Sequence, residues 1–585
     1  MSFTSLKQAR NQRRLKSYLD SQPLSATEIL NSSVEIATVT ASLSSTSALK
    51  IDWAQDDLPT SVEVRQSSHD GRGIWAKQKL KRGTPVISLK PYVSVLSNPH
   101  LAAYCSKCFS PSEERKSLKR CSKCRVLHYC SAACQNADWD VHKPECSSIQ
   151  RWTAGAPNAA VAVPGEAIRC IGRLLWDLQK KGSDHLHSKA IRSMESHRTS
   201  LSTSSASSQT HIAHSIVKYL RVSSPLELSE YGIGSAAELV DFISRFTVNT
   251  FTLTTPSLSS IGISISPVAA LINHSCEPNA VIVFPRSSQS PQKDEPVLKV
   301  VTLRDLDPNE EILTSYIDTV LPRDQRQALL KETYHFACQC SLCTRDYSAT
   351  PDPRASIFCP KKCGGMCPIP SDDVKITRCL KCGQQLSEKS AGVVLDAVRL
   401  GQEALDKASS LETTDPMAAL RLVTNIQTTF AQANLTPSTH PSLSLTRLRC
   451  SLMITLLSTN PQISLNETIR LSAICVSALR DLYPEGHPVR AIAIAELGKL
   501  LTVDESSELS PAPVVSESPS NTFPPSGVKR LRLAHETLTK AYAELEIGFG
   551  PGGGLVGLET LKLAREIDQE INVWTRGVRN VLENR

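Results

Sequence analysis

The cysteines limit what this chain can fold into more than any other residue type. There are 19 of them, and seven lie between residues 105 and 146, where with His142 they fall in the order Cys105-x2-Cys108, Cys121-x2-Cys124, Cys130-x3-Cys134 and His142-x3-Cys146. A single tight turn can aim two thiolates spaced in this way at one ion, and zinc closes a tetrahedron with four such ligands. Eight ligands in four pairs therefore predict two zinc ions in one short module. A disulfide-rich secreted module is the competing reading. The spacings suit metal better, and no apolar signal segment leads the chain. Thiols held for zinc imply a reducing compartment, so nucleus and/or cytoplasm is the expected location.

Two further sets follow. Cys338-x-Cys340-x2-Cys343 supplies only three ligands and needs a fourth from elsewhere. Cys359-x3-Cys363, Cys367 and Cys379-x2-Cys382 offer five candidates for four places. We favour Cys359, Cys363, Cys379 and Cys382 as a zinc ribbon, with Cys367 as the alternative ligand. Counting a completed third site, about four zinc ions are expected. Cys170, Cys450 and Cys475 sit in apolar helical patterns and read as core residues.

The second informative feature is the run Asn273-His274-Ser275-Cys276-Glu277-Pro278-Asn279-Ala280, with Glu310-Glu311-Ile312-Leu313-Thr314-Ser315-Tyr316 downstream. Polar residues clustered beside the apolar stretch 268–272 must all find hydrogen-bond partners, and a ligand is the simplest supplier. Upstream, Gly71-Arg72-Gly73-Ile74 reads as part of a short strand with turns. This order of motifs, with the cysteine array between them, resembles the SMYD family, proteins that combine a SET domain with a MYND zinc finger. Tyr129 before the third ligand pair, and Gln135 and Trp139 after it, strengthen the likeness to a MYND finger.

The resemblance implies an S-adenosyl-L-methionine-dependent protein-lysine N-methyltransferase. It implies interleaved finger ligation, with Cys105, Cys108, Cys130 and Cys134 on one ion and Cys121, Cys124, His142 and Cys146 on the other. It also implies that Cys276 completes the site of Cys338, Cys340 and Cys343. Tyr316 would present its hydroxyl to the methyl and amine, and Tyr334 and Phe251 would line the lysine channel. Gly71, Arg72, Gly73, Asn249, Asn273, His274, Tyr316 and Phe336 would form the cofactor pocket, with Glu195 and His197 at a further contact. Glu310 and Glu311 would stabilise the fold. The protein partners implied are a lysine-bearing substrate and proline-rich peptides docking on the finger. A rival reading is a catalytically silent adaptor that keeps the fold for its interaction surfaces. Two departures from the family pattern stand out: Asn309 replaces the glycine before Glu310, and Ser264-Ile265-Ser266 replaces a glycine and an aromatic, which would reshape the lysine-side wall.

The fold class expected is α+β. A mostly-β SET domain is split by the finger and followed by a post-SET zinc site and an α-helical, tetratricopeptide-like C-terminal domain. Residues 1–60 read as a basic, largely disordered extension, 61–104 as the first SET part and 105–146 as the finger. Residues 147–262 form a helical insertion, 263–320 the SET core, 321–346 the post-SET segment and 355–386 the ribbon. Strands are expected at 62–64, 71–76, 83–89, 246–253, 281–284 and 296–303. A helix is expected at 167–180, a Ser/Thr-rich loop at 199–209 and a charged loop at 109–120. Beyond 390 the periodicity predicts helices at 393–409, 416–433, 441–457, 465–482, 489–501, 528–545 and 558–582, with a Pro/Ser-rich disordered insert at 503–527.

Net charge of +8 permits contact with acidic surfaces such as chromatin without requiring it. The basic cluster Lys7, Arg10, Arg13, Arg14 and Lys16 reads as a solvated arm, with a presequence or a nucleic-acid patch as alternatives. No stretch of about 18 apolar residues exists, so no membrane span is expected, and the chain is expected to act as a monomer.

Overall fold

The computed structural model describes residues 51–54, 57–67, 71–112, 117–286, 295–347, 350–370, 377–503 and 523–583. The basic cluster at the start of the chain and most of the Pro/Ser-rich insert lie outside them.

Strand Val62–Ser67 pairs antiparallel with Gly71–Ala76, placing Val64 opposite Ile74. The two-residue period sends Val62, Val64, Ile74 and Ala76 into the core. Pro85–Leu89 then pairs with Leu298–Thr302, which pairs with Ala280–Val283, so strands from both ends of the SET region share one sheet. In a second sheet Ser260–Ile265 lies between Val93–Leu96 and Thr250–Thr254. The finger and helical insertion therefore leave and rejoin the SET domain at one sheet. Asn273–His274 runs parallel to Leu313–Thr314. That short ladder brings the two polar motifs side by side.

In the finger, a ladder of Lys119–Arg120 and His128–Tyr129 leads into helix Ala132–Ala154. Ser131 caps that helix by accepting from the Cys134 amide, which fixes the turn carrying Cys130 and Cys134. The next helix, Glu166–Lys181, holds Arg173 against the finger helix, where it pairs with Glu145 at 2.5 Å and Asp138 at 3.3 Å. Burial raises the cost of a Glu145 charge, yet Arg173 and His142 outweigh it and hold the carboxyl down at about 2. From the SET sheet, Arg286 donates to the carbonyls of Phe109 and Cys108 at 2.9 and 3.0 Å. The finger is thus tied to the rest of the molecule on two sides.

Several expectations need correction. The Ser/Thr-rich stretch 199–209 is not a loop beyond its start: a helix runs Thr203–Leu220, capped by Ser202 and anchored by buried Ile212, Ile216 and Tyr219. Tertiary burial overrides a weak local propensity there. The strand expected at 246–253 begins at Thr250, because helix Ala236–Val248 continues through Phe246. Its apolar residues are inward-facing helix positions, which a short apolar run cannot distinguish from a strand. Within 1–60, Trp53 lies in a short 3-10 turn and lines a cavity. Asn309 has a φ of +67°, the left-handed conformation that asparagine tolerates in place of glycine. Residues 113–116 of the expected charged loop lie outside the described part.

The C-terminal domain is helical as expected, with Glu388–Leu411, Pro416–Asn425, Gln427–Gln432, Ser442–Leu456, Leu465–Leu482, Pro488–Leu501, Gly527–Gly548 and Gly554–Glu583. Successive helices pack on one another. One difference is the break of 416–433 at Ile426. Val283 and Val301 of the SET sheet share a buried cluster with Leu479, Leu545 and Phe549 of these helices. The helical domain is therefore packed onto the SET domain. No described helix is long and apolar enough to cross a membrane.

Candidate functional site

Four groups of ligand atoms come together in the structure. They are Cys105, Cys108, Cys130 and Cys134; Cys121, Cys124, His142 and Cys146; Cys276, Cys338, Cys340 and Cys343; and Cys359, Cys363, Cys379 and Cys382. Four sulfurs at about 2.3 Å from one zinc ion lie about 3.8 Å apart. Observed separations are 3.6 Å for Cys108 and Cys130, 3.8 Å for Cys121 and Cys146, 3.6 Å for Cys276 and Cys343, and 3.5 Å for Cys363 and Cys379. These spacings are too long for disulfides and right for metal, so the donor sets fit about four zinc ions. Finger ligation is interleaved as expected. Cys276 joins the three later cysteines, and Cys367 packs in the core beside the ribbon ligands.

Two cavities adjoin and share part of their lining. One is lined by Trp53, Gly71, Arg72, Glu195, His197, Asn273, His274 and Phe336, among others. The other is lined by Phe251, Thr252, Ile272, Val281 and Val283 of the SET domain and by Tyr483, His487, Pro488 and Val489 of the helical domain. Val248, Asn249, Ala270, Tyr316 and Tyr334 line both. The wall between the cavities is thus built around two tyrosines, whose ring centroids are 4.9 Å apart.

The first cavity takes its shape from a compact hydrogen-bond set. Asn273 Nδ2 donates to the Arg72 carbonyl at 3.2 Å and to Glu311 Oε1 at 2.8 Å. A Cβ on Gly73 would stand 2.2 Å from that Glu311 oxygen, so any larger residue there would displace the carboxylate that accepts from Asn273. Gly73 packs against the Glu311 side chain, next to Gly71 and Arg72 in the cavity lining. Asn249 Nδ2 donates to the Glu195 carbonyl at 2.8 Å, fixing the segment that carries Glu195 and His197. Arg72 reaches the Ser193 carbonyl of the same segment. His197 and His335 approach with ring centroids 5.6 Å apart, and burial together with His197 lowers the His335 pKa.

His274 links this cavity to metal. Its Nδ1 accepts from the Tyr316 amide at 2.9 Å, so in the neutral ring the proton sits on Nε2, which faces Cys276 Sγ at 3.3 Å. The Tyr316 hydroxyl donates to the Ile272 carbonyl at 2.7 Å. Glu310 accepts from the Asp307 amide at 3.1 Å, and with Glu311 it holds backbone and side chains in place and does not enter either cavity.

The helical domain's contribution to the second cavity was not read from the sequence. His487 stacks on Tyr483 with ring centroids 4.0 Å apart, and Tyr483 donates to Asp318 Oδ1 at 2.8 Å. Burial lowers the His487 pKa to about 3, against the opposing pull of Asp318. The only available signal was the Tyr483-Pro484-Glu485-Gly486-His487-Pro488 turn, which identifies a helix connection but not what it faces. Ser264 and Ser266 are buried and line neither cavity. Ser266 Oγ accepts from the Ala269 amide at 3.3 Å, and Ser264 lies opposite cavity-lining Phe251 in the sheet.

Residues 71–317 match the SET domain family. N-lysine methyltransferase SMYD2-A of Danio rerio is 30% identical over 282 residues, 47% of this chain and 58% of that protein. The SET domain and MYND-type zinc finger protein 6 of Schizosaccharomyces pombe is 30% identical over 281 residues, 48% of this chain and 51% of that protein. The chain thus carries a SET domain and is similar to SMYD proteins over about half its length. Its match spans between about half and three fifths of the length of those relatives. A crystal structure of the SET domain of LSMT bound to lysine and AdoHcy aligns over 89% of this chain and 90% of that one, at 12% identity and a TM-score of 0.25, too distant to argue from.

Proposed function

We propose that this chain is a SMYD-family protein-lysine N-methyltransferase that uses S-adenosyl-L-methionine. The observation that carries this reading is the meeting of two cavities at Tyr316 and Tyr334. Methyl transfer to an amine is an in-line displacement, so donor and acceptor must approach one point from opposite sides. When bound, the cofactor supplies an electrophilic methyl group. Asn273, His274, Arg72 and Glu195 offer the polar groups and Phe336 the aromatic face that suit it in the first cavity.

The second cavity suits a lysine side chain. Free lysine has a pKa near 10.4, so on the order of one amine in two thousand is neutral at pH 7. The apolar wall of Phe251, Ile272, Val281 and Val283 removes water from the arriving amine, which favours its neutral form. Because the Tyr316 proton is committed to the Ile272 carbonyl, its hydroxyl oxygen is positioned to accept an N–H and aim the amine lone pair through the wall. Tyr334 sets the width of the opening.

The substrate is a protein bearing an accessible lysine. The finger binds proline-rich peptides, and the protein works as a monomer in nucleus or cytoplasm. Bound cofactor should raise the melting temperature, since a ligand of the native state stabilises it by mass action. Phe336→Ala should lose most of that shift with zinc content unchanged. No shift in the parent at saturating cofactor would favour the adaptor reading.

A further inference from the structure

Arg326 is among the largest fully buried side chains in the molecule, at 0% exposure. Buried guanidinium groups normally face a carboxylate, because an unpaired charge inside a protein costs several kcal/mol. Among the described residues Arg326 forms no salt bridge with an acid. Its Nη1 donates to the Leu321 carbonyl at 2.7 Å, and its Nη2 points at Cys343 Sγ at 3.8 Å. Its counter-charge is the thiolate cluster. Four thiolates around one zinc ion carry a formal charge of minus two, and Cys276 and Cys343 are buried at 2% and 1% exposure.

Arg326 belongs to helix Arg323–Tyr334, whose last residue forms part of the wall between the cavities. The neighbouring Gln327 clamps Cys338 twice, donating to its carbonyl at 2.7 Å and accepting from its amide at 3.0 Å. From Arg326 to Tyr334 is about two helical turns, or about 12 Å of stiff backbone.

We infer that Arg326 is a positioning residue: its guanidinium neutralises the thiolate centre of Cys276, Cys338, Cys340 and Cys343 and so sets where the helix presents Tyr334. The link to methyl transfer rests on the function proposed above, whereas the link to zinc does not. Groups just outside a metal's ligands alter its affinity by about 10- to 100-fold.

The test follows zinc release from the full chain into a chromophoric chelator. Arg326→Met should release one of about four zinc ions at least about tenfold faster, and the other phases should match the parent. Arg326→Lys, which keeps the charge without the two-pronged fork, should fall between. Lys331→Met, the same charge change at an exposed position of the same helix, should behave as the parent. The Met variant should also show a lower kcat, partly restored by Lys. A folded Arg326→Met protein whose release phases all match the parent overturns the inference. If the Met variant does not fold, the Lys variant decides, and a parental release rate there overturns it equally. Altered zinc release without methyl transfer in any variant, parent included, leaves the zinc role standing and removes the methyltransferase reading.

Discussion

The two cavities that meet at the tyrosine wall are built in different ways. The first is made of contacts encoded in short motifs: Asn273 with Glu311 and Arg72, His274 with Tyr316 and Cys276. The second is an apolar space half-formed by the SET sheet and completed by Tyr483, His487 and Pro488 from a domain packed against it. One side is thus fixed by local hydrogen bonds and metal, the other by the docking of two domains. The first should respond sharply to single atoms, and the second should tolerate change and tune which protein enters.

The largest effect should come from removing metal on the first side. Cys340→Ser should reduce zinc from about four ions to about three, with cofactor affinity falling at least about tenfold. The finger, ligated elsewhere, should keep both its ions. Elemental analysis and calorimetric titration read this directly, and parental cofactor affinity after loss of that zinc would mean the first cavity is not braced by metal.

A smaller effect is expected from Gly73→Ala. The added carbon would collide with the Glu311 carboxylate. The overpacking should cost about 1–3 kcal/mol in denaturant unfolding and weaken cofactor binding by about tenfold. Parental affinity would show that the Asn273–Glu311 pair can move aside freely.

Legibility in the sequence follows the same division. The paired metal ligands could be read because each pair lies a few positions apart, whereas the joining of Cys276 to Cys338, Cys340 and Cys343 and the place of Tyr316 came from the family resemblance. The packing of Gly73 against Glu311 could not be read, since a glycine needed for close packing and one needed for ligand approach look alike in a sequence. Tyr483 and His487 could not be placed, because nothing local records that a turn between two helices faces a sheet more than a hundred residues upstream. Helix Arg323–Tyr334 and its buried Arg326 were missed for a related reason: a polar, weakly patterned helix is held by a metal cluster that spacing does not connect to it.

The smallest effect concerns the second side. His487→Gln should leave cofactor affinity unchanged and raise KM for a substrate protein severalfold. It should also alter acid stability. The His487 pKa is about 3 in the folded protein against roughly 6.5 unfolded. Its stabilising contribution is therefore complete above pH 6.5 and is lost progressively as pH falls toward 3. Zinc thiolates protonate in acid too, so the signal is the difference between variant and parent. That difference should move by about 1 kcal/mol in the variant's favour between pH 7 and pH 5. A constant difference would place His487 in a wetter setting than the cavity wall.

The central claim is that Tyr316 stands where a methyl group passes from one cavity to the other. Its most direct test is transfer of labelled methyl from S-adenosyl-L-methionine to the proteins of a cell extract, comparing the parent with Tyr316→Phe. The account predicts one or a few labelled proteins with the parent and a loss of at least about a hundredfold in the variant, with zinc content and cofactor binding retained. Parental labelling by Tyr316→Phe, or a parent that binds cofactor and labels no protein, would contradict it.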